Sequence, residues 1–225
     1  MAVLVAGGTG ALGGAVVREL LATGYGCTLT WLVAHERDRA QAELGERVEL
    51  VEADLSEPGG ADAAVAAVGE LEAVVNLVGG YAAGGLVHET DHAEFERLLR
   101  LNLAPAYNLA HAAMPRLIEA GGGAFVGVSA RPALRPFAGA SGYITSKAAV
   151  LAFIQALDAE YRDRGIRCNA ILPSVIDTPA NRSSQPDADH SKWVAPEAIA
   201  KVVRFLVSED SAPTTGAAIP VYGRA

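Results

Sequence analysis

The feature that most constrains the fold is a regular alternation of apolar runs with amphipathic or alanine-rich segments. Seven apolar runs without polar alternation predict buried strands, at residues 2–6, 26–33, 47–51, 72–78, 123–128, 166–172 and 217–222. The segments between them predict helices, at residues 12–23, 36–45, 61–69, 91–119, 142–164 and 195–208. Strands that are buried on both faces and separated by helices form parallel sheets. The pattern predicts an α/β, doubly wound sandwich with a seven-stranded, mostly parallel sheet.

Length and composition fit one domain. The chain has 225 residues, of which 51% are hydrophobic, so it can bury a sizeable core. No internal repeat or shift in composition marks a second unit, and residues 1–225 are predicted to form a single domain. Residues 173–194 are rich in Pro, Ser, Asp and Asn. Irregular stretches of that length are often binding loops, and we expect a substrate loop here.

Charge and cysteine content exclude several classes of function. The formal net charge is −8, which is unsuited to binding nucleic acid or anionic membranes. No apolar run is long enough to span a bilayer, and the N-terminal run indicates a buried strand rather than a signal peptide. Cys27 and Cys168 are too few for a disulfide framework or a structural metal site. We expect two reduced core thiols, no metal and a cytoplasmic location.

A glycine-rich turn follows the first predicted strand. Gly7, Gly10 and Gly13 have the spacing G-x-x-G-x-x-G. Ala11 and Leu12 lie between the last two of these glycines, where the next predicted helix begins. Glycine permits a tight turn and a close approach of the backbone to a pyrophosphate. The helix N-terminus then offers free N–H groups to phosphates. Between a strand and a helix, this motif predicts a Rossmann-type dinucleotide site.

The second predicted strand bears on the choice of dinucleotide. NAD specificity usually depends on an acidic residue that closes this strand, and Thr30 and Trp31 supply none. If the strand runs further, Glu36 takes that role, or His35, Arg37 and Arg39 meet a 2′-phosphate. These same charged residues also fit a solvated helix start. The sequence favours NADP(H) over NAD(H).

Tyr143 and Lys147 lie four residues apart at the start of a predicted long helix. Positions i and i+4 share one helix face, so the two side chains project together. An unperturbed tyrosine has a pKa of about 10 and is a poor proton donor or acceptor at neutral pH. A lysine cation and a nicotinamide ring within a few Å would stabilise the phenolate and lower the pKa of Tyr143.

Further segments complete a recognisable pattern. Asp54 follows the third predicted strand, Asn76-Leu77-Val78-Gly79-Gly80 ends the fourth, Asn102 lies within the long fourth helix, and residues 168–178 end the sixth strand. With these matches the chain resembles the short-chain dehydrogenase/reductase family over essentially its whole length. The resemblance implies an NAD(P)-dependent oxidoreductase that acts on a small molecule.

The resemblance also implies roles for individual residues. Asn102 would anchor a proton-relay water, Tyr143 would donate the proton, and Lys147 would hold the nicotinamide ribose. Asp54 would contact the adenine, although it also fits an N-cap, and Asn76 also fits a satisfied strand end. The cofactor-binding positions it implies are Gly7, Gly10, Ala11, Leu12, Gly13, Asp54, Leu55, Asn76, Val78, Gly79, Tyr143, Lys147, Pro173, Ile176 and Thr178.

The chain departs from the family at its catalytic serine. The family places this serine thirteen residues before the tyrosine, and that position here is Ala130. Ser129 is one residue short, and neighbouring strand residues point to opposite faces. Either the strand end bulges and presents Ser129, or the enzyme works without a serine.

The second alternative is similar to one branch, the quinonoid dihydropteridine reductases. The similarity covers the turn at residues 7–13, the segment 79–85, the alanine at position 130 and the loop 177–193. It implies a conjugated acceptor that needs one hydroxyl donor, with Tyr81 and Trp193 as candidates to stack on a flat ring. Asn102, which that branch lacks, departs from the likeness.

Two other hypotheses about the function stay open. One is an ordinary ketone, aldehyde or 3-oxoacyl reductase in which Ser129 or Ser141 is the second donor. The other is a non-catalytic NAD(P) sensor, which has no need of Tyr143, Lys147 and Asn102 together. The family likeness also implies a homodimer or homotetramer that packs helices 91–119 and 142–164 against their mates.

Overall fold

The computed structural model describes residues 2–224 and contains one seven-stranded sheet. The strand order is β3-β2-β1-β4-β5-β6-β7, and every neighbouring pair is parallel. The strands are β1 (Ala2–Ala6), β2 (Gly26–Trp31), β3 (Val48–Glu52), β4 (Leu71–Asn76), β5 (Gly123–Val128), β6 (Ile166–Pro173) and β7 (Ala218–Val221). The predicted single-domain Rossmann-type sandwich is confirmed, and its sheet is wholly parallel.

Helices cover both faces of this sheet. They are α1 (Ala11–Ala22), α2 (Ala34–Leu44), α3 (Pro58–Ala66), α4 (His92–Glu119), α5 (Ser141–Tyr161), α6 (Pro179–Ser184) and α7 (Pro196–Val207). One core cluster joins the sheet to α3, α4 and α5, and the other joins it to α1 and α7. Cys27 and Cys168 are buried free thiols, as expected.

Most predicted boundaries are shifted by one to three residues, and two differences affect the candidate site. The second strand ends at Trp31 rather than at residue 33, because α2 begins at Ala34. The segment 173–194 is not wholly irregular. It contains α6, which begins with Pro179 and whose N-cap, Thr178, accepts a hydrogen bond from the Asn181 N–H.

The chain order of the strands reverses between β1 and β4. In open parallel sheets, ligands bind at the carboxyl edge beside such a reversal. The turn after β1, the loop after β4 and the segment after β5 all meet at this edge. Within residues 2–224, no helix is both long and apolar enough to cross a membrane.

Candidate active site

The glycine turn connects β1 to α1 and leaves no room for side chains. Gly7 has φ +74°, a left-handed conformation that favours glycine. A Cβ on Gly13 would overlap the carbonyl oxygen of Gly7 and lie 2.6 Å from the Cα of Gly8. Gly10 caps α1 without a side-chain hydrogen bond, so the first N–H groups of the helix, from Ala11 on, keep free donors. This cradle fits a pyrophosphate.

A residue that the sequence analysis did not assign supports the turn from β2. The buried Thr30 hydroxyl accepts a hydrogen bond from the Gly7 N–H at 3.2 Å. Only the position of β2 beside β1 reveals this contact, although Thr30 itself lies within the apolar run that predicted the strand.

Charged side chains of α2 also contact the turn. Arg39 donates to the Thr9 carbonyl oxygen at 2.7 Å, and the Thr9 hydroxyl donates to Glu36 at 3.2 Å. Arg37 instead lies over the Trp31 ring, and its partner is Asp38. A carboxylate and a guanidinium therefore both stand at the end of the turn where a dinucleotide's adenosine half would lie.

Asp54 and Leu55 follow β3 at the same edge. Asp54 is exposed, and hydrogen bonds from the Ser56 hydroxyl and N–H lower the pKa of its carboxyl group. The Leu55 side chain lies in the core, and its carbonyl oxygen accepts from Asn108. Asp54 thus stabilises a local turn and still presents its carboxylate to solvent.

The loop after β4 is held by two asparagines. Asn76 accepts a hydrogen bond from the Val78 N–H at 3.1 Å. The Asn102 side chain, on α4, accepts from the Gly80 N–H at 3.0 Å and donates to the Gly80 carbonyl oxygen at 3.1 Å. A Cβ on Gly79 would lie 2.8 Å from the Lys147 amine, so the loop passes close over that amine.

The donor side of the Asn102 amide is fully occupied. Its Nδ2 atom lies within hydrogen-bond distance of three acceptors, of which two are the Leu98 carbonyl oxygen and the buried Ser146 hydroxyl. An amide has only two hydrogens to donate. The side chain therefore positions the loop, and the predicted water would have to bond elsewhere on this residue.

Lys147 is buried, with 5% of its surface exposed. Its amine donates to the Val128 carbonyl oxygen at 3.1 Å, at the end of β5. Burial lowers the pKa of Lys147 to about 8. The amine therefore changes charge close to physiological pH.

Tyr143 lies one helical turn earlier on α5, beside Tyr81. The two rings meet edge to face, with centroids 4.9 Å apart. Burial and then the charge of Tyr81 raise the pKa of Tyr143 to about 12. In the polypeptide alone, desolvation of the phenolate is therefore the largest influence on this pKa, and the lowering expected beside a lysine cation and a nicotinamide ring stays a prediction.

The structure separates Ser141 from Ser129 and Ala130. The Ser129 hydroxyl is buried and donates to the Lys147 carbonyl oxygen at 2.7 Å. Ala130 follows in extended conformation and lines the same cavity as Tyr143. Ser141 lines a separate cavity, at the start of α4 and α5. Ser129 also lines the larger cavity, but its hydroxyl is engaged with α5.

A cavity of about 760 Å³ joins these elements at the carboxyl edge of the sheet. The predicted residues that line it are Leu12, Gly79, Tyr81, Ser129, Ala130, Tyr143, Lys147, Pro173 and Ile176. Trp193 lies outside this lining and packs against His190, with ring centroids 4.3 Å apart. Thr178 also lies outside it, as the N-cap of α6. Tyr81, 62% exposed, is the aromatic residue that the structure keeps beside Tyr143.

Two arginines in this lining were not identified from the sequence. Arg131 and Arg135 follow Ala130 directly, and the Arg135 N–H donates to the Arg131 carbonyl oxygen at 3.0 Å. Their i, i+4 spacing was the available signal.

Comparisons with known proteins agree with this geometry. Residues 1–189 match the family model described as short chain dehydrogenase. The chain is 31% identical over 194 residues to 2-(R)-hydroxypropyl-CoM dehydrogenase of Xanthobacter autotrophicus, covering 79% of this chain and 78% of that protein. It is 32% identical over 175 residues to 4-formylbenzenesulfonate dehydrogenase of Comamonas testosteroni, covering 72% and 69% respectively. Levodione reductase superposes with a TM-score of 0.90 at 26% identity, covering 99% of this chain and 96% of that one. The chain belongs to the short chain dehydrogenase family, and it is an NAD(P)-dependent oxidoreductase.

Proposed function

We propose that this enzyme transfers hydride between a nicotinamide cofactor and a small carbonyl or quinonoid, pterin-like acceptor, with Tyr143 as the general acid. The observation that carries the proposal is that Tyr143, Lys147 and Ala130 line one cavity beside the glycine turn. The bound cofactor supplies the hydride. One of the relatives named above is 2-(R)-hydroxypropyl-CoM dehydrogenase, whose name supports alcohol–carbonyl chemistry.

The residues of this chain provide the proton and the orientation. The Tyr143 hydroxyl keeps its proton at neutral pH, since burial raises its pKa to about 12. So weak an acid donates its proton only when a cation stabilises the phenolate that forms. Lys147 places a cation beneath the Gly79 loop, where a positive charge stabilises developing phenolate. Asn102 fixes Gly80 through two hydrogen bonds and thereby shapes the cavity wall.

The acid assignment is tested by Tyr143→Phe. This variant loses only the phenol hydroxyl, so we expect cofactor affinity to stay within about twofold while turnover falls by about 100-fold or more. Turnover is followed by nicotinamide absorbance and cofactor affinity by fluorescence titration. Tyr107→Phe, an exposed hydroxyl on α4, is the matched control. Turnover near the wild-type rate in Tyr143→Phe would refute the assignment.

The acceptor class depends on how many hydroxyl groups face the reacting atom. Ala130 occupies the position that supplies a second donor in the family, and the Ser129 hydroxyl is bonded to α5. A conjugated quinonoid acceptor needs less help than a ketone, because its negative charge spreads over the ring. This arrangement supports the quinonoid, dihydropteridine reductase-like alternative.

Ala130→Ser separates the two acceptor classes. If one hydroxyl donor is the native arrangement, the new hydroxyl should raise kcat/KM for simple ketones by about tenfold or more, the equivalent of about 1.5–3 kcal/mol. It should change quinonoid pterin reduction little. Ser129→Ala should leave both activities nearly unchanged. Loss of ketone reduction in Ser129→Ala, without a gain in Ala130→Ser, would instead assign an ordinary carbonyl reductase.

We further propose that the cofactor is NADP(H). Support comes from Trp31, which closes β2 without a carboxylate, and from Arg39, which reaches the Thr9 carbonyl oxygen. Titration should show NADPH binding at least about tenfold more tightly than NADH, about 1.4 kcal/mol. Arg39→Gln should remove most of that preference. Tighter binding of NADH would assign the ribose contact to Glu36.

We propose a homodimer or homotetramer built on α4 and α5. Tyr107 and Phe153 form an aromatic contact between these helices, with ring centroids 5.8 Å apart, and Tyr107 is exposed. Light scattering should give a mass of at least two chains, and Tyr107→Glu should reduce it. A monomer at micromolar concentration would refute this assembly.

A further inference from the structure

The charge of the active-site cavity is opposite to that of the whole chain. Asp and Glu outnumber Lys and Arg by 26 to 18 in the sequence. The residues that line the cavity nevertheless include Arg131, Arg135 and Lys147 and no acidic residue. A concave site lined by one sign of charge concentrates ligands of the opposite sign. The cavity is therefore suited to an anion.

Lys147 donates a hydrogen bond to the Val128 carbonyl oxygen and has a place in the proposed reaction. Arg131 and Arg135 are therefore the two cations that are available to bind an anion. They lie on a short turn, of which Arg131–Ala133 is the 3-10 part, immediately after Ala130. The hydrogen bond from the Arg135 N–H to the Arg131 carbonyl oxygen closes one helical turn, so both side chains leave the same face. That face borders the cavity.

Neither guanidinium is neutralised by the protein. Within residues 2–224, no carboxylate lies within ion-pair distance of Arg131 or Arg135, and neither side chain donates a hydrogen bond. The Arg131 guanidinium lies 5.0 Å from the centre of the Tyr222 ring, which fixes its position. Guanidinium groups bind carboxylate, sulfonate and phosphate oxygens through paired N–H donors.

The phosphates of the cofactor are not the natural partners of these arginines. The pyrophosphate cradle lies after β1, whereas Arg131 and Arg135 follow β5. Two strand spacings separate β1 from β5 in the sheet, about 10 Å. Tyr143 and Ala130, which face the reacting atom, lie on the same side as the arginines.

We propose that the substrate carries an oxyanion group, either a carboxylate, a sulfonate or a phosphate, which Arg131 and Arg135 bind at the cavity wall beside Ala130. This inference rests on the proposed reduction of a small acceptor in the same cavity, and it specifies the substrate class. The remaining wall is largely apolar, with Leu77, Pro132 and Phe137 among its residues. The substrate is thus a small amphipathic molecule, with an apolar body between the reacting atom and the anion.

Matched aldehydes test this inference by calorimetry, which requires no turnover. The anionic probes are 4-formylbenzoate, 4-formylbenzenesulfonate and 4-formylphenyl phosphate, and the neutral probe is methyl 4-formylbenzoate. Each is titrated into the protein with and without saturating NADP⁺. We expect at least one anion to bind about tenfold or more tightly than the ester, and the comparison among the three identifies the preferred oxyanion. Raising salt from about 50 to about 500 mM should weaken only the anions.

Variants connect the preference to the two arginines. Arg131→Gln and Arg135→Gln should each reduce the anion-to-ester affinity ratio, and the double variant should bring it close to one. Arg135→Lys should restore part of it, because the charge remains and the paired donors are lost. Arg164→Gln, an exposed arginine at the opposite edge of the sheet, is the matched control and should keep the ratio.

Three results would overturn the inference: equal affinity for anions and ester, no binding of any anion at millimolar concentration, or an unchanged ratio in the double variant. Anion-selective binding without hydride transfer to any aldehyde or pterin would reject the proposed function and leave the anion site standing. Turnover of neutral acceptors without any preference for anions would reject the anion site and leave the proposed function standing.

Discussion

Lys147→Met should stabilise this protein at neutral pH while it destroys the proposed activity. Lys147 is 5% exposed, and no carboxylate within residues 2–224 pairs with its amine. Its pKa falls from 10.5 to about 8 on burial, which corresponds to about 3 kcal/mol against the charged form at pH 7. Methionine keeps a flexible apolar stem of similar length.

The stability gained by Lys147→Met should be smaller than the free energy that burial of the charged amine costs. Removing the amine leaves the Val128 carbonyl oxygen without the donor that lies 3.1 Å away, a loss of about 1 kcal/mol. The net expectation is about 2 kcal/mol of added stability at pH 7. For a chain of this length that corresponds to roughly 4–8 °C in Tm. Lys147 would then lower the stability of the folded protein while the proposed reaction requires it.

The wild-type protein should show the same effect in its pH dependence. The folded chain releases the Lys147 proton near pH 8, whereas the unfolded chain releases it near 10.5. Between these values the unfolded state binds more protons, so Lys147 makes stability rise with pH across this window. Tyr143 acts oppositely above pH 10, since its folded-state pKa is raised from 10.0 to about 12.

Urea unfolding followed by circular dichroism measures both effects without cofactor. The midpoint for Lys147→Met should rise at pH 7 with an unchanged slope, and its advantage should shrink as the pH approaches 10. Lys201→Met, an exposed lysine on α7, should stay within about 0.5 kcal/mol of wild type. A Lys147→Met variant less stable than wild type at pH 7 would refute the argument that the buried charge is costly.

Other substitutions test the loops around the site. Gly13→Ala should abolish detectable cofactor binding in a fluorescence titration, because its Cβ would overlap the backbone of the turn. Gly14→Ala would meet only the flexible Arg18 side chain, at 3.4 Å, and should stabilise α1 by about 0.5–1 kcal/mol. Equal effects of the two substitutions would contradict this account. Asn102→Ala removes both hydrogen bonds to Gly80 and should lower kcat/KM at least tenfold, with faster amide exchange at Gly80 as the independent readout. An unchanged amide exchange rate at Gly80 would show that the loop after β4 keeps its conformation without the Asn102 side chain.

The sequence by itself determined the features that repeat along the chain or are local to it. Apolar strands alternating with helices specify a parallel sheet, because each strand must be covered on both faces. The glycine spacing 7–10–13 specifies the turn, since Gly13 must pass against the backbone of Gly8. The i, i+4 spacing of Tyr143 and Lys147 places both on one face of α5.

Only the tertiary structure decided where side chains at strand ends and in loops point. Ser129 turns to the carbonyl oxygen of Lys147, a residue 18 positions further along the chain. Trp193 packs on the nearby His190 and lies outside the cavity. Burial likewise raises the pKa of Tyr143 in the polypeptide alone, which the i, i+4 spacing does not reveal. Desolvation and the distribution of charge around a cavity depend on which segments meet in space, and no local pattern records that.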